Sequence, residues 1–154
     1  MRKSFVFIPY KRIGNLIFGM SREEAKELCG QIKSSCRYGY PVEDRFLDDF
    51  GDLHILCNNK ELLEAVELFP DIASEEMSLI FNGTEIILSK DSDTLISRVK
   101  EITDDLIEDE DKEGYSSKKL GLKIYCPDNI VEDVLVHDMH CYDEELEYMN
   151  SQNL

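Results

Sequence analysis

Apolar positions in this chain come mostly in short bursts, and only two stretches repeat at helical spacing. Phe5-Val6-Phe7-Ile8 is a short apolar run, and Pro9 bars it from entering a helix, so it is expected to be extended. The apolar segment Ile13 to Met20 contains two glycines, and Ser21-Arg22-Glu23-Glu24 follows it with the form of a capping box. A helix is expected from Arg22, with Ala25, Leu28 and Cys29 on one face and Gly30 as its stop. Residues 31–44 read as a connection, because Ser34, Ser35, Gly39 and Pro41 break any period.

Strand grammar follows. Arg45 to Phe50 and Leu53 to Cys57 are separated by Gly51-Asp52, and Asn58-Asn59-Lys60 supplies the next turn. Leu62 to Phe69 fits two readings, because Glu61, Glu64 and Glu67 recur every three residues as a helix would have them. Pro70 and the hairpin-like turn before the segment favour a strand. Ser78 to Leu88 is the strongest hairpin signal, with Asn82-Gly83 suited to a type I′ turn. The longest helix is expected next, on the stripe Leu95, Val99, Ile102, Leu106 and Ile107, with Asp91 or Ser92 as its N-cap. Leu120 to Cys126 and Ile130 to Val136 form a further hairpin around Pro127-Asp128-Asn129. From Asp138 onward the chain is acidic and polar, and its last residues are expected to fray.

These elements predict a single α+β domain, with two main helices packed on a largely antiparallel sheet. Phe50 to Val66 also resembles Leu120 to Val134: each has a Gly, a short strand ending in Cys, an Asn-containing turn and a second strand. The match suggests an internal duplication of a helix-plus-hairpin unit, with halves 1–76 and 77–141 and an acidic tail beyond them.

Charge narrows the function. The 154 residues hold 33 Asp+Glu against 17 Lys+Arg, a formal net charge of -16. Such a surface repels nucleic acid, anionic lipid and nucleotide phosphates, and it steers basic proteins toward itself. Small basic and aromatic patches at Tyr10-Lys11-Arg12 and Arg37-Tyr38 do not offset it. The hydrophobic content of 42% is that of a folded domain. No apolar run reaches the length of a membrane helix, and the N-terminal run is too short for a signal-peptide core, so a cytoplasmic location is expected. Cys29, Cys36, Cys57, Cys126 and Cys141 are odd in number and widely spaced, which predicts reduced thiols, with Cys57 and Cys126 facing the core.

No chemical motif stands out. Asp109, Asp111, Glu113 and Gly114 occupy the first, third, fifth and sixth places of a calcium loop, but Leu120 stands where the bidentate Glu belongs. His137, His140 and Cys141, even with His54 or Cys57, lack the spacing of zinc modules. His54 alternates with Leu53 and Ile55 and is expected to face solvent or a partner. There is no Gly-x-Ser-x-Gly element, and Gly14 and Gly19 do not form a phosphate loop. No catalytic residue, metal or cofactor is assigned.

The segment Ile13-Gly14-Asn15-Leu16-Ile17-Phe18-Gly19-Met20-Ser21-Arg22-Glu23-Glu24 resembles the opening of small bacterial immunity proteins of polymorphic toxin systems, including contact-dependent growth inhibition and Rhs loci. The likeness extends through Leu53 to Phe69. Phe18-Gly19-Met20-Ser21 entering a helix is also similar to the repeated helix-plus-sheet units of beta-lactamase inhibitory proteins, although Phe81-Asn82-Gly83 in the second half lacks the motif. The resemblance implies a non-enzymatic inhibitor of one cognate toxin. Charge adds that a nuclease, which needs cations to grip phosphate, is the fitting target. An acidic adaptor or regulatory module with a different basic partner is the alternative.

Glu101 to Glu113 is the densest acidic segment, with eight carboxylates and one lysine. If the helical stripe turns inward, Asp104, Asp105, Glu108 and Asp109 are free to meet a partner, and Glu110 and Asp111 extend that surface. Asp48, Asp49 and Asp52 form a second acidic cluster, and Asp143, Glu144, Glu145 and Glu147 a third.

Overall fold

The structure is a computed structural model and describes residues 2–141. The tail cluster Asp143 to Glu147, and the fraying expected at the C-terminus, lie outside the described residues. The chain opens with β1 (Arg2–Ile8), then the short strands β2 (Arg12–Ile13) and β3 (Leu16–Ile17), then α1 (Arg22–Cys29). Four strands follow: β4 (Ser34–Tyr38), β5 (Arg45–Asp49), β6 (Leu53–Cys57) and β7 (Leu63–Leu68). A hairpin of β8 (Glu76–Phe81) and β9 (Thr84–Ile87) leads into α2 (Ser92–Ile102). The last four are β10 (Ile107–Glu108), β11 (Gly114–Ser117), β12 (Leu122–Tyr125) and β13 (Asp133–His137).

The expected α+β class, with two helices and largely antiparallel pairing, is what the chain adopts. Its strands form two sheets, in the orders β3-β2-β1-β8-β9 and β10-β11-β12-β13-β7-β6-β5-β4. Among the described residues β1 with β8 is the one parallel pair. Phe7, Met77, Leu79 and Ile86 of the smaller sheet belong to one buried cluster with Ile55, Val66, Leu68, Leu122, Ile124, Val134 and Val136 of the larger. Ala25 of α1 and Leu95, Ile96 and Val99 of α2 complete it.

Local signals explain the element starts. Ser21 caps α1 and accepts from Glu24 N at 3.2 Å, while Asp91 caps α2 and accepts from Thr94 N at 3.0 Å. Asn82 and Gly83 have φ of 48° and 80°, as the type I′ turn between β8 and β9 requires. The ambiguous segment 62–69 is a strand, with Glu61 in a turn at φ 58°.

Three expectations need correction. Residues 31–44 are not only a connection, because Ser34–Tyr38 pairs with β5 as an edge strand; being exposed on both faces, it has no alternation to betray it. The second helix ends at Ile102, so Leu106 is buried from a loop and Ile107 is exposed. Leu28 faces outward at 51% exposure, although Ala25 beside it is fully buried. As expected, Cys57 and Cys126 are buried, whereas Cys36 is exposed.

Each helix follows a short hairpin and precedes a four-strand meander. The start of each helix is clamped to the last turn of its own meander in the same way. Arg22 N donates to Glu61 O at 2.8 Å and Leu63 N to Met20 O at 2.8 Å. Correspondingly, Ser92 N donates to Asn129 O at 3.3 Å and Val131 N to Lys90 O at 2.8 Å. The position matching Phe18-Gly19-Met20-Ser21 is therefore Leu88-Ser89-Lys90-Asp91, after the Asn82-Gly83 turn rather than at it. Replacing either cap, Ser21→Ala or Asp91→Ala, should cost about 1 kcal/mol. The two costs should add in the double variant, as read from urea unfolding midpoints, because the caps lie in separate clamps.

Candidate protein-binding surface

The acidic segment is built quite differently from an exposed helix face. Thr103 N closes α2 by donating to Val99 O at 3.1 Å. Asp105 then draws the chain inward: it accepts from Ser117 Oγ, from Thr103 Oγ1 at 2.7 Å and from Lys119 N at 2.8 Å. Partial burial opposes the charge of Asp105, but these donors outweigh it and hold the carboxyl at about 2. Asp104 pairs with Lys119 Nζ at 2.6 Å, which holds its carboxyl below the usual range. Asp109 accepts from Ser116 Oγ at 2.7 Å, and its backbone closes the β10–β11 turn with Gly114 and Lys112. That turn needs glycine at 114, where a Cβ would stand 2.2 Å from Ile124 O. Asp105 and Asp109, expected to face a partner, are thus committed within the chain. Asp104, Glu108, Glu110 and Asp111 are exposed.

A patch not foreseen from the sequence adjoins these residues. Strand register puts Tyr125 between Gly114 and Asp133, and Ile107 beside Ser116, on the face of the large sheet turned away from the core. Ile107 is 68% exposed and Tyr125 38%. The Tyr125 hydroxyl is pushed up first by the charge of Glu113, then by burial, then by Glu132, Asp133 and Asp111. An aromatic ring therefore stands in a rim of carboxylates, with an exposed aliphatic side chain and Lys123, opposite Ser116, on the same face. The helical period that predicts an inward Ile107 ends at Ile102 in the structure. Tyr125 carried a sequence signal in the strand alternation after Gly121, which turns it outward, whereas Asp133 joins its face through the β12–β13 register.

Further along the same face, adjacent strands bring four titratable side chains into a row. His54 Nε2 lies 3.3 Å from Asp49 Oδ1, and its Nδ1 lies 3.8 Å from Glu67 Oε1. The Phe69 ring packs on the imidazole with centroids 4.4 Å apart. His54 points out of the core, as its alternation required, but it is enclosed by neighbours rather than open to solvent. Burial, reinforced by a hydrogen bond and the charge of Asp133, pushes Glu67 well above the ordinary carboxylate range. Glu67 also borders a hollow of about 190 Å³ with Tyr38, Arg45, Leu135 and Cys141. The His54–Glu67 pairing is legible from the β6–β7 hairpin, whereas Asp133 arrives only through the β7–β13 pairing.

The cluster Asp48, Asp49 and Asp52 is structural. Asp48 is fully buried; it accepts from Arg22 Nε and Nη2, each at 2.8 Å, and from Ser35 Oγ at 2.6 Å, tying α1 to the sheet. Asp52 pairs with Lys3 at 3.4 Å. Among the described residues, no group of three or more His, Cys, Asp or Glu side chains is placed to hold a metal ion. Nor is any helix among them long and apolar enough to cross a membrane. Compared with protein-family profiles, curated proteins and solved structures, the chain gives no significant match.

Two carboxyls should leave opposite pH signatures. Asp105 titrates at about 2 when folded against its ordinary 3.8, so its stabilisation is complete above about 4 and lost as pH falls through 2. Asp105→Ala, which deprives three donors of their acceptor, should cost about 2 kcal/mol at pH 7. Glu67 behaves in reverse, because its folded value lies above the ordinary 4.5. Below that value both folded and unfolded chains hold the proton; above it the unfolded chain ionises first, and folding weakens as pH rises. Glu67→Gln should therefore be more stable than the parent at pH 8, by roughly 1 kcal/mol or more, and close to it at pH 4. Thermal unfolding at the two pH values measures the difference.

Proposed function

We propose that this protein is a non-enzymatic, cytoplasmic bacterial immunity protein, which neutralises a cognate basic toxin, a nuclease, by covering its cationic surface. The exposed Tyr125 within a carboxylate rim, with Ile107 exposed on the same face, carries the reading. A partner's Arg or Lys side chains meet Glu113, Glu132, Asp133 and Asp111 in charge-assisted pairs, and its guanidinium planes stack on Tyr125. Apolar contact at the centre with charge at the edge is the usual division of labour in a protein interface, the centre setting dissociation and the rim setting encounter. The net charge of -16 extends the steering field beyond the patch. The likeness of the Ile13 to Glu24 segment to immunity proteins supports the same reading. An acidic adaptor would use this surface with a different basic protein, so the identity of the protein encoded beside it and co-purifying with it separates the two.

Association with that neighbouring gene product should slow about tenfold or more as salt rises from 20 to 200 mM, while dissociation changes little. The triple reversal Asp111→Lys, Glu113→Lys and Glu132→Lys should slow association at low salt by a similar factor. Tyr125→Ala should mainly speed dissociation. Stopped-flow or surface-plasmon kinetics resolve both rates, and a triple variant binding as the parent does would remove this surface from the mechanism.

A further inference from the structure

A cleft of about 500 Å³ runs beside β1, on the other sheet from the acid-rimmed patch. From Arg2 to Val6, β1 pairs with β8 on one side, whereas β2 joins the other side only at Phe7 and Ile8. Gly14 N donates to Val6 O at 2.7 Å, so the Val6 carbonyl points away from β8. By the alternation of a strand, the amide and carbonyl of Ser4 point the same way, onto an edge with no neighbouring strand among the described residues. An open edge of this kind is a template for an added strand.

The cleft walls set the chemistry of the occupant. Phe5, Leu28, Phe50 and Leu53 line it, and the outward turn of Leu28 is part of that lining. Lys3 and Arg12 border it; Lys3 is answered by Asp52 at 3.4 Å. The Arg12 Nε is buried with no hydrogen-bond partner among the described residues. On a chain of net charge -16, a guanidinium whose buried Nε lacks a partner, beside an open strand edge, calls for an anionic ligand. We propose that the β1 edge is a second binding site, which takes an extended, acidic peptide segment of a partner as an added strand. The backbone of Ser4 pairs with the peptide, alternate peptide side chains enter the cleft against Phe5, Leu28, Phe50 and Leu53, and a peptide carboxylate meets Arg12. The site does not rest on the toxin-binding reading, because it uses the other sheet and the opposite charge.

The test uses the full ¹⁵N-labelled chain and an acetylated, amidated hexapeptide of alternating valine and glutamate. Saturable amide shifts at Ser4, Val6 and Asn15, with slowed hydrogen exchange at Ser4, are expected. The valine–lysine counterpart should not bind, and Arg12→Gln should weaken the glutamate peptide by about tenfold, the loss of one charge-assisted pair. The same spectra report whether the variant is folded, and the shift map of the parent stands without it. Four outcomes would overturn the proposal: no saturable shifts at millimolar peptide, shifts confined to the β4 edge, equal binding of the lysine peptide, or decanoate entering the cleft where the peptide does not.

Discussion

The antiparallel pairing of β7 with β13 is the contact on which the rest of the fold depends. It runs from Leu68 opposite Val134 to Ala65 opposite His137, and it makes one eight-stranded sheet out of two four-strand meanders. The parallel β1–β8 pair makes the same kind of join in the smaller sheet. With both layers stitched across the same two halves of the chain, Val66, Leu68, Val134 and Val136 face Phe7, Leu79 and Ile86 in a single core. Each join brings together residues far apart in sequence, so each must overcome loop-closure entropy before its burial is gained. Paired backbone clamps at Arg22–Glu61 and Ser92–Asn129 fix each helix to its own meander.

Carboxylates in this chain have two separate uses. Some are structural acceptors: Asp91 caps a helix, Asp48 holds Arg22 and Ser35, Asp105 gathers three donors and Asp109 closes a hairpin. Others stand at the surface, where Glu113, Glu132, Asp133 and Asp111 raise the negative potential around Tyr125. A count of charges does not separate the two groups, because a carboxylate bonded to neutral donors keeps its charge while its oxygens are already taken up within the chain. The surface proposed to meet a partner therefore differs from the acidic run Glu101 to Glu113, because it leaves out Asp105 and Asp109 and draws Tyr125, Glu132 and Asp133 from elsewhere in the chain.

Opposite chemistry sits on the two sheets. The large sheet offers an aromatic ring within an anionic rim, whereas the open edge of the small sheet offers unpaired backbone, a cleft of mixed lining and the buried Nε of Arg12.

Sequence alone determined the features whose causes lie within a few residues. The capping box at Ser21, the Asn82-Gly83 turn, the alternation that buries Leu53, Ile55 and Cys57, and the two-helix α+β class were all legible, because capping, turn geometry and side-chain periodicity are local. So was the correspondence between the third and fourth strands of each meander. Tertiary structure decided the rest. The helical stripe of α2 continues on paper to Ile107, but Asp105 finds Ser117 and Lys119 across a loop, and those donors end the period at Ile102. Ser34–Tyr38 becomes a strand only because β5 offers it an edge. Tyr125 acquires its carboxylate rim, and Glu67 its raised pKa, only when register brings Asp133 between them, a consequence of strand pairings that no local pattern encodes.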